Sequence, residues 1–217
     1  MNFLLSVLLF LLNFFFLDRD PKKCARFHGD KHIHKMILEY AQIGSTVFWI
    51  VGRHHDGLYK PTHKNHPIVV WASKSLAHLR AIIDLGIALS EERSQRLVTA
   101  HKMGKKWSTQ HASTGVLLFM KNNLPPPSAF KDGDAWIDPP LCMPQCLHNK
   151  GKDVVDCYRL YYCGYKTEIT NLKWEPFVSN PFFLDDCKLR ISTMTDVLND
   201  IQLQVQKAKK PVKRIKK

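Results

Sequence analysis

The sequence predicts a mainly α protein: a compact single-domain helical bundle carrying one long proline-rich loop. Three observations predict it. Trp71, Ser75, Leu79, Ile82, Gly86 and Leu89 recur at helical spacing, the stripe of a core helix. No run of alternating apolar and polar residues marks strands. Residues 122–152 hold six of the twelve prolines, too many for regular structure. A chain of 217 residues with 45% hydrophobic composition can bury one sizeable core.

The elements follow in order. Residues 3–17 are apolar apart from Ser6 and Asn13. This run is shorter than the ~20 residues of a membrane span. It also lacks the basic start and small-residue cleavage site of a signal peptide. Three readings stay open: a weak anchor or signal, an extension packed on the domain, or sequence upstream of the functional start. Asp20 before Pro21 reads as N-cap and first helical residue, predicting a helix over 21–43. The apolar stretch after it, 44–52, continues that helix or forms a buried strand-like link. Residues 52–67 are loop, rich in Gly, Pro, His and Asn. Pro67 opens a second long helix to about Arg96, and a shorter one covers 115–121. Val154, Cys157, Tyr158, Tyr161 and Tyr165 restore helical spacing over 153–166. Residues 173–187 read as extended with aromatic anchors, and 193–210 as a last amphipathic helix. The division is a hydrophobic extension (1–17), a helical domain (18–205) and a basic tail (206–217).

The formal net charge is +13, a balance that favours a polyanionic partner such as DNA, because neutralising phosphates releases condensed counterions. The stretch KAKKPVKRIKK (207–217) carries seven of the basic residues and no acid, leaving +6 for the rest. It reads as a solubilising tail, a nuclear-import signal or a DNA-gripping arm. The six cysteines lack zinc-ribbon spacing, CMPQC being CxxxC, and a chain this long needs no disulfide scaffold. They read as reduced and structural.

The chemistry concentrates in HGDKHIHKMILEYAQ, residues 28–42. At about 100° per residue, His28, His32, Lys35 and Glu39 fall on one narrow stripe beside an apolar one. A solvated face is usually built from Lys and Glu, whereas histidine titrates near neutrality, binds metals and moves protons. If the loop YKPTHKNHP folds back over the stripe, Glu39, Lys35, His32, His63 and His66 surround one pocket. One use of that pocket is a metal site from His28, His32, His63 and His66. Lys35 within the stripe opposes a cation. The other use is base excision, in which an amine attacks the anomeric carbon of a deoxyribose and a carboxylate steers protons. Lys31, Lys35, Arg53, Lys60 and Lys64 are the cations available for flanking phosphates.

FFFLDRDPKKCARFHGDKHIHKMILEYAQ, YKPTHKNHPIVVW and CYRLYY resemble a group of uncharacterised proteins of phages and large DNA viruses. The likeness covers Asn13 to Phe183, and that group's sequences begin near Asn13. More remotely, DKHIHKMILE is similar to the first-helix segment of the phage pyrimidine-dimer DNA glycosylase, endonuclease V, that ends in its catalytic glutamate. KPTHKNHPIVVWASKSLAHL resembles the start of its second long helix, and YRLYYCGYK its aromatic C-terminal stretch. The resemblance implies a compact all-α DNA-repair enzyme without a cofactor. Such an enzyme flips a base partner, cleaves the glycosidic bond through a Schiff base and nicks by elimination. It puts Glu39 in the acid/base role and Tyr158, Tyr161 and Tyr162 against DNA. It also implies an intracellular viral protein in an infected host cell, with the basic tail pointing to the nucleus. The chain departs from that family at the nucleophile, the free α-amine of the first residue. Here an apolar segment precedes Asn13. Either processing exposes a new N-terminus, or Lys31 or Lys35 supplies the amine, or the chemistry differs. The alternatives are a His-cluster metal-dependent hydrolase or nuclease, and a non-catalytic viral DNA-binding protein with weak membrane association through residues 3–17.

Overall fold

The computed structural model describes residues 12–148, 150–174 and 176–209, the side chains of 208 and 209 excepted. Most of the apolar run and residues 210–217 of the tail therefore lie outside the described residues. The helices are α1 (Pro21–Arg26), α2 (Asp30–Ile50), α3 (Pro67–Ala72), α4 (Leu76–Lys102), α5 (Thr114–Asn122), α6 (Val154–Tyr161), α7 (Thr167–Thr170), α8 (Leu184–Ser192) and α9 (Thr195–Lys209). A π-helical turn, Tyr162–Lys166, joins α6 to α7. Among the described residues there is no strand, and the protein is mainly α.

The long helices α2 and α4 pack along each other, with α1 and α5 closing the sides. Their approach is close at Gly86, where an added Cβ would stand 2.8 Å from Leu117 and 3.4 Å from Tyr40. Asp20 caps α1 as its sequence predicts, accepting from the N–H groups of Lys22 and Lys23. The predicted single helix over 21–43 is instead broken at Phe27–Gly29 and then runs on to Ile50. Distant residues cause the break. Trp174 Nε1 donates to the Phe27 carbonyl, and the Gly29 N–H donates to the Tyr162 hydroxyl. A Cβ on Gly29 would lie 2.9 Å from Leu172 Cβ. Gly29→Ala is therefore expected to lower unfolding stability by about 1–3 kcal/mol, read by urea denaturation. The second long helix is likewise split, at Ser73–Ser75. There the Ser75 hydroxyl caps α4 and bonds the Ala135 carbonyl of the proline-rich loop. Within 173–187, read as extended, α8 begins at Leu184.

Residues 12–17 lie against the helices. Leu12, Phe14, Phe15, Phe16 and Leu17 are all buried at 5% exposure or less, so this segment belongs to the domain core. It runs extended, and alternate N–H groups find side-chain acceptors on the helices around it. Asn13 donates to Glu39, Phe15 to the Tyr40 hydroxyl and Leu17 to Cys24 Sγ. Such pairing satisfies three main-chain donors of a lone extended segment inside a helical core. No helix among the described residues is long and apolar enough to cross a membrane. The six cysteines are free.

Candidate active site

Alternation along the extended segment aims Phe15 and Phe14 to opposite sides. On the Phe15 side lie the stripe of α2 and the π turn. Glu39 is 4% exposed. Its Oε1 accepts from Lys35 Nζ at 2.9 Å, and its Oε2 accepts from the main-chain N of Asn13 at 3.2 Å. Burial pushes the Glu39 carboxyl above its ordinary value, opposed by the adjoining Lys35 ammonium. Lys35 itself is 54% exposed and stands at the solvent edge.

Sequence reasoning missed Lys166. It closes the π turn, is 8% exposed, and faces Lys35 and Glu39. Its Nζ lies 5.5 Å from the Phe15 ring centroid and 5.1 Å from that of Tyr161. Burial first, and the like charge of Lys35 second, lower its pKa to about 8. A faint signal was present, since Lys166 follows Tyr162 by four residues and so shares its buried face.

The histidines divide into two groups. His32 stacks on Phe15 at 4.8 Å and its Nδ1 bonds the Tyr162 hydroxyl at 2.9 Å. His28 Nδ1 bonds the Cys24 carbonyl at 2.8 Å, and its ring sits edge-on to Phe15 and Tyr162. Burial lowers the pKa of His28 to about 4 and holds His32 well below its ordinary value. The predicted fold-back of the His-rich loop occurs further along α2. Tyr59 and Thr62 donate there to Ser45 and Thr46, and Trp49 Nε1 bonds the Tyr59 carbonyl. His63 bonds Thr62, and His66 caps α3 through the Ile68 N–H. No hydrogen bond or ion pair ties either one to Glu39, Lys35 or His32. Of the five predicted residues, Glu39 and Lys35 are paired, and His32 and Lys166 lie near them. Among the described residues no three His, Cys, Asp or Glu side chains are grouped to hold a metal.

Lys31 and Lys35 are exposed near the start of α2, with Lys31 bonded to the Thr170 carbonyl. Arg53 is exposed just past its far end, and Lys60 and Lys64 are exposed on the loop that bonds Ser45 and Thr46. Tyr158, Tyr161 and Tyr162 are no more than 1% exposed and offer no face to a base. Tyr158 donates to the Pro140 carbonyl, while Tyr161 and Tyr162 pack on Phe15. They are buried because the extended segment and α8 pack on this helix. On the Phe14 side, a cavity of about 430 Å³ is lined by Phe16, Trp136, Arg19 and Arg80. Both arginines are paired there, with Asp138 and Asp134, and it lies apart from Glu39.

The buried histidines set an acid limit on the fold. The folded pKa of His28 lies near 4, below the value near 6.5 of an unfolded histidine. Between these pH values the unfolded chain binds more protons, so stability rises with pH across the window and is lost on acidification. His28 alone accounts for on the order of 3 kcal/mol between pH 7 and pH 4. Urea midpoints taken across that range check it, and His28→Gln should flatten the profile.

Compared with known proteins, the chain matches no family model, no curated protein and no solved structure.

Proposed function

We propose that the protein binds DNA and acts as a DNA glycosylase/AP lyase on damaged or modified bases or the abasic sites they leave. The observation that carries this reading is Glu39: a carboxylate withdrawn from water, bound by Lys35 and the Asn13 nitrogen, with the amine of Lys166 facing it. Burial of that kind raises a carboxyl toward the range useful for proton transfer near neutrality. The Asn13 nitrogen, near which the resembling sequences begin, lies 3.2 Å from Glu39. Exposed Lys31, Arg53, Lys60 and Lys64 and the formal charge of +13 suit a phosphate backbone.

In such a reaction an amine adds to C1′ of the deoxyribose and the base departs with a proton. The iminium then loses its C2′ proton to a carboxylate, and the 3′-phosphate leaves. Glu39 serves as the acid/base group, and His32, neutral and clamped to Tyr162, keeps the pocket wall fixed. The test is to incubate the protein with a duplex carrying one abasic site and then add borohydride, which reduces an imine to a stable amine. A covalent protein–DNA adduct is expected. An absence of adduct on a strand that also stays intact refutes the reading and leaves a non-catalytic DNA-binding protein.

A further inference from the structure

The amine required by that reaction is not supplied by Asn13 while its nitrogen is bonded to Leu12, because an amide has no basic lone pair to donate. Three lysines lie around His32, two of them beside Glu39. Lys31 is exposed and bonded to the Thr170 carbonyl. Lys35 is committed to Glu39 at 2.9 Å and stands half in solvent. Lys166 alone of the three is buried. We propose, resting on the function argued above, that Lys166 is the nucleophile that forms the Schiff base with the deoxyribose of an abasic site.

The π turn supports this assignment. π turns occur mostly as single insertions inside α-helices, frequently at functional sites. The insertion at Tyr162–Lys166 brings the Lys166 ammonium within 5.1 Å of the Tyr161 ring and 5.5 Å of the Phe15 ring. Without the extra residue, Lys166 would turn by about 100° around the helix axis, away from Glu39. The apolar, aromatic walls disfavour the ammonium form, and the lysine pKa near 8 follows from them. Among the described residues of α2, Lys35, Glu39 and His32 lie near this amine.

The steps balance without an added reagent. Neutral Lys166 Nζ adds to the open-chain aldehyde carbon C1′, and the proton it sheds moves to the alkoxide oxygen to give the carbinolamine. Glu39, starting as the carboxylic acid, gives its own proton to the carbinolamine hydroxyl, which leaves as water and gives the iminium. The C2′ proton goes to the Glu39 carboxylate and the 3′-phosphate departs with the C3′–O bond pair. Water then hydrolyses the imine and frees Lys166.

The experiment is peptide mapping of the borohydride-reduced adduct of the full chain by tandem mass spectrometry, beside the nicking rate of Lys166→Arg. The expected result is DNA attached at Lys166 and a nicking rate lowered more than about 100-fold, with duplex affinity retained because arginine keeps the charge. Attachment at Lys35, at Lys31 or at an α-amine overturns this inference and leaves the proposed function standing. Full nicking by folded Lys166→Arg does the same. A wild-type chain that neither nicks nor traps removes the proposed function itself. If Lys166→Arg does not fold, the wild-type mapping still decides.

Discussion

Glu39→Gln is expected to slow strand nicking at an abasic site by roughly 10²–10⁴-fold, the usual contribution of a positioned acid/base group. Affinity for the duplex should hold, because the exposed cations at both ends of α2 are untouched. The fold should hold as well. The Gln oxygen can still accept from the Asn13 N–H, and the substitution removes a carboxylate that burial disfavours. Thermal melts at pH 7 should show Glu39→Gln as stable as the parent or more so. Nicking time courses, fluorescence anisotropy and melts together separate a chemical role from a structural one. A variant that nicks at the parental rate takes Glu39 out of the mechanism. A variant that loses affinity makes it a scaffold for the DNA face.

Arg96→Met is expected to cause the largest loss of stability, roughly 3–5 kcal/mol, as when one partner of a buried ion pair is removed. Arg96 is 1% exposed. Its Nε donates to Glu92 at 2.7 Å, and its Nη atoms donate to the carbonyls of His28 and Arg26. Those carbonyls belong to the break between α1 and α2, so a single guanidinium on α4 holds the start of the stripe in place. Methionine fills much of the volume but leaves a buried carboxylate and two carbonyls without their donor. Urea denaturation should show a lower midpoint with an unchanged slope. Pairing it with Glu92→Gln should recover part of the loss, because the uncompensated charge is then gone. Nicking should fall in parallel, since the register of Lys35 and Glu39 depends on that anchor.

Both predictions concern residues whose importance was unequally legible in the sequence. The i,i+4 spacing of Lys35 and Glu39 and their nearness to His32 were plain from helical geometry. The caps at Asp20 and Ser75 come from ordinary N-cap chemistry, although only Asp20 stood beside a proline that announced it. The helix breaks were hidden because their causes lie far along the chain, in Tyr162, Trp174 and the carbonyls of the proline-rich loop. Residues 12–17 read as an appendage because apolarity alone does not distinguish an anchor from a core segment. Lys166 carried only the faint signal of its four-residue spacing from Tyr162. The histidine set looked like ligands because spacing shows which nitrogens share a face but not what they bond. His28 and His32 are occupied by a carbonyl, a tyrosine and a phenylalanine ring. The tyrosines followed their periodicity into the core.

The most direct test of the central claim, that the buried carboxylate and the amine facing it process DNA, is scission of a duplex with a single abasic site in the presence of EDTA. Amine chemistry predicts one cut on the 3′ side of the site, leaving an unsaturated aldehyde end, at a rate the chelator does not change. A strand that stays whole, or a cut that disappears with the chelator, would contradict the account.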